Sequence, residues 1–260
     1  MPMFSGRVPG AGRPANGLAN ALFHFENNTI DSSYRQVSWR MNQTLAYNTG
    51  GTAKFGSYCL SPRAGASQSS YLYLTPSDDT GVFSPGTGDF TMECWVYRTT
   101  TNNGFGSVFD SRPFLSGGSS SPTTGTYAGM YFAFDGTNIA TYQQGGSVAY
   151  GTSLSGNFAH GMASQTWYHI AVARQNGTAR IFVGGVQKGS YTDNSNYGFN
   201  TATGAYAGTA GQTNTVARMG ESQTGANNNN GANYDDFRIT IGLARYTSGF
   251  TPPTAAFTED

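Results

Sequence analysis

Residues 167–186 carry the clearest indication of the fold and read WYHIAVARQNGTARIFVGGV. It holds three runs rich in aromatic and β-branched residues. Asn176-Gly177 separates the first two runs, and Gly184-Gly185 separates the second from the third. Asn-Gly and Gly-Gly supply the positive φ angles that tight hairpin turns require. The stretch therefore predicts three consecutive strands joined as an antiparallel meander.

Short runs of the same composition recur on both sides of this stretch. With the meander strands at 167–174, 178–183 and 186–191, the predicted strands are 22–26, 71–74, 90–97, 107–110, 130–134, 138–142, 216–219 and 234–240. A third turn signal, Asp135-Gly136, lies between two of them. No stretch indicates a helix of useful length. Many short strands without helices between them predict an all-β jelly-roll sandwich of two antiparallel sheets.

Alternation along the strands indicates which side chains form the core. Successive side chains of a strand point to opposite faces. In residues 90–97 one face therefore carries Phe90, Met92, Cys94 and Val96 and is predicted to be core, whereas the other is amphipathic and carries Thr91, Glu93, Trp95 and Tyr97. In residues 167–174 both faces are apolar or aromatic, which predicts a central strand covered on both sides.

Composition excludes several classes of function. The chain has 260 residues, 36 of them Gly, with fourteen cationic and fourteen anionic side chains, and charged residues make up 11%. An ordinary soluble domain carries about 25% charged residues. Because the cations are few and balanced, we expect no nucleic-acid partner. We also expect no membrane insertion, because no apolar run approaches the about 20 residues that span a bilayer.

The chain divides into a short arm and one domain. Residues 1–20 are mostly Gly, Pro, Ala and Arg with little to bury, so they predict a flexible N-terminal arm without the apolar region of a secretory signal. Residues 21–260 are expected to form a single domain. Cys59 and Cys94 are expected to be free thiols, because a core of this size needs no disulfide.

Several motifs resemble one known family. Residues 88–97 (GDFTMECWVY), 167–174 (WYHIAVAR), 180–186 (RIFVGGV) and 234–240 (YDDFRIT) resemble strands of laminin-G-like, or concanavalin A-like lectin/glucanase, jelly rolls. The opening LFHFE at 22–26 is similar to the first strand of that family. GLARY at 242–246 and FTPP at 250–253 resemble the variant found in structural proteins of tailed bacteriophages. The resemblance implies a concanavalin A-like sandwich.

The residues do not favour catalysis. Glycosidases that share this fold use two carboxylates about 5 to 9.5 Å apart, and no E-x-D-x-x-E arrangement occurs among Glu26, Glu93, Glu221 and Glu259. The adjacent carboxylates Asp235 and Asp236 are expected on opposite faces of their strand. His24 and His169 are expected to be hydrogen-bonded core histidines, and His160 an exposed loop residue. We therefore expect a protein that is not an enzyme.

The resemblance implies a calcium ion near the rim of a sheet. Carboxylate and backbone carbonyl oxygens are the ligands that calcium prefers. From the first-strand and last-strand motifs, Glu26, Asp31 and Asp235 are the expected ligands. Under the alternative interpretation, Asp235 or Asp236 accepts hydrogen bonds from amides of neighbouring turns.

Glycan binding is expected in the long tract 191–206. Loop aromatics could stack on sugars while amides provide hydrogen bonds. The candidate residues are Tyr191, Asn194, Asn196, Tyr197, Phe199 and Tyr206. The alternative is that Tyr and Asn are abundant throughout this chain, so that any loop would contain them.

Together these observations predict a non-enzymatic structural protein of a tailed-phage virion. The expected place is the virion surface, as a head decoration, with other virion proteins as partners and a homo-oligomeric state on the particle. Its loops are expected to contact host-surface or environmental glycans. Two alternatives stay open, namely a tail-fibre or receptor-binding module and a secreted, extracellular carbohydrate-binding or adhesion domain.

Overall fold

The structure is a computed structural model of the chain. It describes residues 17–42, 46–48, 53–61, 64–65, 68–69, 71–74, 81–99, 106–112, 128–145, 148–153, 158–198, 217–220 and 232–260. These residues contain strands and turns but no helix. A search of them accordingly finds no helix that could cross a membrane.

Eighteen strands are present in the described residues. They are β1 (Ala19–Phe23), β2 (Arg40–Asn42), β3 (Ala46–Asn48), β4 (Cys59–Ser61), β5 (Ala64–Gly65), β6 (Gln68–Ser69), β7 (Tyr71–Leu74), β8 (Phe90–Arg98), β9 (Gly106–Asp110), β10 (Ala128–Phe134), β11 (Asn138–Gly145), β12 (Val148–Ser153), β13 (Phe158–Ala159), β14 (Trp167–Gln175), β15 (Thr178–Val183), β16 (Val186–Thr192), β17 (Ala217–Met219) and β18 (Ala232–Ile241).

The strands form two antiparallel sheets of eight strands each. The first sheet has the order β16-β15-β14-β8-β18-β4-β3, with β1 also paired to β18. The second sheet has the order β12-β11-β10-β9-β17-β7-β2, with β13 also paired to β11. Strands β5 and β6 form a separate hairpin. The two large sheets make the sandwich that the sequence predicted.

All eleven predicted strands are confirmed, with ends that differ by up to three residues. The largest shift is at β1, which begins at Ala19 and pairs Ala19 with Thr240. Residues 19–20 thus belong to the domain, and residues 1–16 of the predicted arm lie outside the described residues. The strands that the sequence did not reveal are mostly two or three residues long, and such segments are too short to show a periodic pattern.

The predicted meander β14-β15-β16 is confirmed, and its turns use positive φ. Asn176 and Gly177 have φ of 48° and 73°, and Gly184 and Gly185 have φ of 59° and 79°. The predicted hairpin at Asp135-Gly136 also forms, but neither residue has a positive φ. The prediction that this turn uses positive φ is therefore wrong. Asp135 Oδ1 accepts hydrogen bonds from the backbone N–H groups two and three residues ahead, each at 2.7 Å. This side chain therefore caps the turn.

The main core lies between the two sheets. The inward face of β8 is the one predicted, and it meets residues of the second sheet such as Val108 and Phe109. Cys59 and Cys94 are buried and free, as expected. A smaller cluster forms on the opposite face of the first sheet, which we call the outer face. There Ala171 and Phe182 pack against Phe250.

Residues 242–260, which we call the C-terminal segment, lie along the outer face. Tyr246 and Phe250 stack with ring centroids 3.6 Å apart, and both rings contact His169 on β14. Phe257 packs against Trp95 and Leu22. Strand β14 is therefore covered on both sides, as predicted, and the C-terminal segment supplies the outer cover.

Candidate functional site

The predicted glycan tract is largely part of the core where the structure describes it. Tyr197 is fully buried, and its ring packs 5.4 Å from Phe83 and 5.9 Å from Phe90. Its hydroxyl donates a hydrogen bond to Asp193 Oδ2 at 3.2 Å. The prediction that Tyr197 stacks on a sugar is therefore wrong, because bridges to Gly86 and Ala128 fix this residue between the sheets.

Tyr191 also points towards the protein interior. Its ring packs against the main core and its hydroxyl is hydrogen-bonded to the hydroxyl of Thr141. Burial raises the pKa of Tyr191 well above its usual range. Asn194 and Asn196 are exposed, and their role in glycan binding stays a prediction. The remaining two candidates, Phe199 and Tyr206, lie outside the described residues.

A buried arginine holds this tract against the first sheet. Arg174 is fully buried between the rings of Phe90 and Tyr197. Its guanidinium donates hydrogen bonds to three backbone carbonyls of neighbouring loops at 2.6–2.9 Å and lies 3.5 Å from the Asp193 carboxylate. The start of the tract is therefore a rigid structural element.

The three predicted calcium ligands bind backbone amides. Asp31 Oδ1 accepts hydrogen bonds from the N–H groups of Leu22 and Ser33, and its Oδ2 accepts one at 3.1 Å from Val37. Glu26 accepts a bond from the amide of residue 57. In the described part of the chain, no three His, Cys, Asp or Glu side chains are arranged to hold a metal ion.

Asp235 and Asp236 follow the alternative interpretation. A β-bulge between Asp235 and Phe237 interrupts the register with β8, and Asp236 has a φ of 43°. The bulge corrects the expectation that these carboxylates point apart. Asp235 binds the amides of residues 54 and 55, and Asp236 binds the amide of Phe257 and the His24 ring. Both acids therefore anchor segments that cover the outer face.

The prediction that His160 is an exposed loop residue is wrong. Only 3% of its surface is exposed. Its Nδ1 accepts the amide N–H of Met162 at 2.8 Å, and its Nε2 lies 3.1 Å from the carbonyl oxygen of Asp135. Burial lowers the pKa of His160. His169 is a buried histidine with one hydrogen bond, as predicted, and it binds Glu93.

Glu93 forms a buried ionic network under the C-terminal segment. Its Oε1 accepts bonds from Arg238, and its Oε2 accepts bonds from His169 and the Tyr246 hydroxyl. Burial raises the pKa of Glu93, but these partners outweigh it and hold the pKa at about 2. A carboxylate that stays ionised and enclosed is unsuited to donating a proton. Its role here is to bind the C-terminal segment to the sheet.

An aromatic surface remains beside this network on the outer face. Tyr97 on β8 and Trp167 on β14 are cross-strand neighbours, and their ring centroids lie 5.4 Å apart at an interplanar angle of 53°. Both side chains are partly exposed. Alternation brings them to the same face as Trp95, two residues before Tyr97.

Lys54 and Phe55 extend this surface from a neighbouring loop. Phe55 meets Trp95 edge to face, with centroids 5.8 Å apart, and Lys54 Nζ lies 4.1 Å from the Trp95 ring centroid. Asp235 Oδ2 holds both residues by accepting their backbone N–H groups at 2.7 and 3.0 Å. We call the set Lys54, Phe55, Trp95, Tyr97 and Trp167 the aromatic patch.

The residue types of the aromatic patch are suited to weak binding of a ligand. Trp95 is 5% exposed and forms its base, while Phe55, Tyr97 and Trp167 keep part of their rings in solvent. Partly exposed aromatic rings with a nearby cation can stack on apolar faces of a ligand and bind its polar groups. The patch is therefore the candidate functional site.

Alternation in the sequence predicted Trp95 and Tyr97 on an outer face but did not identify the site. A usable signal was present, because 90–97 and 167–174 each carry an aromatic residue at an end of the strand, on the face opposite the core. No local pattern could add Lys54 and Phe55, since an interaction with Asp235, about 180 residues away, positions them.

Comparison with known proteins gives a family match. A family model described as the concanavalin A-like lectin/glucanases superfamily matches residues 66–240, about two thirds of the chain. Among curated proteins, none matches the sequence.

Solved structures of similar fold include binding domains of a botulinum neurotoxin and of a mosquitocidal protein. The binding domain of botulinum neurotoxin DC in complex with SialylT superposes with a TM-score of 0.56 at 12% identity, covering 87% of this chain and 48% of that one. The binding domain of Paraclostridial Mosquitocidal Protein 1 gives 0.55 at 12% identity, covering 88% and 50%. The chain thus spans about half the length of these structures, and at this identity the likeness concerns the fold.

Proposed function

Because the chain belongs to the concanavalin A-like lectin/glucanase superfamily, we propose that it is a non-enzymatic carbohydrate-binding domain that recognises glycans through the aromatic patch. The observation that carries the proposal is the partly exposed pair Tyr97 and Trp167 on adjacent strands. Sugar rings present C–H groups on one face, and aromatic rings held in a fixed orientation bind such faces with little loss of conformational freedom.

The rigidity of the patch supports this function. Trp167 and Phe55 pack against a buried cluster formed by Ala19, Leu22, Trp95 and Phe257, so the rings do not have to order on binding. A surface that is already ordered avoids a cost of about 0.5–1.5 kcal/mol per immobilised side chain. The toxin binding domain known in complex with SialylT makes glycans a reasonable first class of ligand to test.

We further propose that the domain works on the surface of a tailed-phage particle as a head decoration protein. The support is the sequence resemblance of residues 242–253, which lie in the C-terminal segment. In this setting other virion proteins are partners and the protein is a homo-oligomer on the particle. A tail-fibre or receptor-binding module and a secreted carbohydrate-binding domain are the alternatives.

The glycan proposal can be tested by NMR, since the chain has three tryptophans and each gives one indole N–H signal. The protein is titrated in turn with three tetrasaccharides, one built from glucose, one from galactose and one from N-acetylglucosamine. We expect the Trp167 signal to shift with at least one of them. The Trp39 signal is an internal control, because Trp39 lies in the main core, and we expect it to stay in place.

Two variants distinguish the patch from the predicted loop. Tyr97→Ala, which keeps the Trp167 signal, is expected to weaken binding at least 10-fold, about 1.4 kcal/mol, whereas the double variant Asn194→Ala/Asn196→Ala is expected to bind like the wild type. If only the loop variant loses binding, the patch is not the site. If no sugar, neutral or acidic, shifts the Trp167 signal, the glycan proposal is refuted.

The virion setting requires a separate experiment. Purified virions of the source phage are labelled with a gold-conjugated antibody against this domain. Label over the head is expected for a decoration protein. Label at the tail tip would instead identify a receptor-binding part, and absence of label would refute the virion setting and favour the secreted alternative.

A further inference from the structure

We propose that the aromatic patch selects sugars that carry a carboxylate, and that Lys54 is the residue that recognises the carboxylate. The proposal rests on the proposed function, because it concerns the ligand class of the same site. The observation behind the proposal is the position of the Lys54 ammonium relative to the aromatic rings and to the carboxylates of the fold.

Lys54 differs from three buried arginines of the structure. Arg112, Arg174 and Arg238 each face a buried carboxylate within 3.5 Å. Lys54 Nζ instead lies over aromatic rings, 4.1 Å from the Trp95 centroid and 5.4 Å from the Phe55 centroid. Within the described residues, no carboxylate lies at salt-bridge distance from it. A partly exposed ammonium in this position can bind an anionic group from solution.

Asp235, the acid that binds the backbone at Lys54, is already occupied by other donors. Asp235 Oδ2 accepts the backbone N–H groups of Lys54 and Phe55, and its Oδ1 accepts that of Asp236. Burial also raises the pKa of Asp235 to about 7, so part of its charge is absent at neutral pH. Asp235 therefore fixes the backbone at Lys54 without neutralising the side-chain ammonium.

The distances suit a small acidic sugar. Trp95 and Tyr97 are two residues apart on one face of β8, which separates them by about 7 Å along the strand. A ring that stacks on Tyr97 and Trp167 would therefore bring a carboxylate substituent within reach of the flexible lysine side chain above Trp95. A neutral sugar would make the stacking contacts but leave Lys54 unused.

The test compares two ligands that differ at one carbon. Methyl β-D-glucuronide and methyl β-D-glucoside carry a carboxylate and a hydroxymethyl group, respectively, on the same ring. Each is titrated into the full-length protein while the Trp167 indole signal is followed. We expect the glucuronide to bind about 5- to 10-fold more tightly, as an added charge-assisted contact provides. Sodium acetate, which has the carboxylate without the ring, is expected to leave the Trp167 signal unchanged.

Three variants assign the selectivity to Lys54. Lys54→Met keeps an apolar stem on Trp95 and is expected to bind the two sugars equally. Lys54→Arg keeps the charge and is expected to retain the preference. Lys188→Met is the matched control, because Lys188 is the other lysine of the chain and lies on strand β16 at the far edge of the sheet; it is expected to retain the preference as well.

The outcomes separate this inference from the proposed function. Equal binding of the two sugars by the wild type, or an unchanged preference in Lys54→Met, would refute the role of Lys54 and leave glycan binding intact. A response to acetate as large as that to the glucuronide would show a general anion site and refute the sugar selectivity. If neither these sugars nor the tetrasaccharides shift Trp167, both proposals fail.

Discussion

Replacement of Glu93 by Gln tests how the outer face of the first sheet is held together. Glu93 is fully buried, and its carboxylate accepts bonds of 2.7–2.9 Å from Arg238, His169 and Tyr246. Gln has almost the same shape, so the change removes the charge and replaces one acceptor with a donor. We expect the C-terminal segment, which carries Tyr246, to be bound less strongly.

The magnitude follows from the pKa of Glu93. Burial raises this pKa, but the bond from His169, the charges of His169 and Arg238 and the bond from Tyr246 lower it from 4.5 to about 2. The unfolded chain therefore binds a proton as the pH falls through 4.5, whereas the folded chain binds it only near pH 2. The ionised carboxylate stabilises the fold by about 3 kcal/mol above pH 4.5, and by about half of that at pH 3.

The assay is urea unfolding of the wild type and Glu93→Gln at pH 7, 4.5 and 3. We expect the variant to be less stable by about 3 kcal/mol at pH 7, with the difference falling to about half at pH 3. Glu26→Gln is the control, since its amide oxygen can still accept the bond from residue 57, and it should stay within about 0.5 kcal/mol of the wild type. A difference that is the same at all three pH values would contradict the ionic role of Glu93.

Three further predictions concern stability. Arg174→Met is expected to lower the free energy of unfolding by about 3–5 kcal/mol, measured in urea, because it leaves the buried Asp193 carboxylate without its cation and removes hydrogen bonds to three backbone carbonyls; a loss below about 1 kcal/mol would contradict this. Gly185→Ala is expected to lower the Tm more than Gly184→Ala. Both positions have positive φ, but only at Gly185 would a Cβ clash with the Phe250 carbonyl oxygen; equal losses would show that the C-terminal segment moves to accommodate the Cβ. Asp235→Asn is expected to flatten the pH dependence of the Tm between pH 4 and 7. Burial raises the pKa of Asp235 from 3.8 to about 7, so the folded chain keeps a proton that the unfolded chain loses. The stability of the wild type therefore falls as the pH rises. Identical pH profiles of the Tm in the wild type and the variant would argue against that pKa.

The strands that the sequence revealed are those with local signals. The turn between β14 and β15 depends on two adjacent residues, Asn176 and Gly177, and their requirement for positive φ acts without the rest of the chain. Strand β4 has no such signal. It forms because Leu60 pairs with Tyr234, which is far away in sequence, and neither segment indicates the other.

The candidate site shows the same division. Tyr197 and Trp167 are both aromatic residues next to polar neighbours, and composition suggested a binding role for the first. The structure buries Tyr197, because its backbone bridges to Gly86, and leaves part of Trp167 exposed beside Tyr97. Exposure of an aromatic ring depends on which segments cover it, and those segments are distant in sequence.

The all-β architecture, the meander and the inward face of β8 are predictable from the sequence alone, because hydrophobic alternation and turn chemistry act over a few residues. Which aromatic rings stay in solvent and which acids serve as anchors depends on tertiary contacts. The C-terminal segment covers His169, whereas Tyr97 and Trp167 stay partly exposed. Asp235 fixes Lys54 above Trp95 through contacts about 180 residues apart. Such contacts form only when the sheet brings the strands together, so no local pattern can encode them.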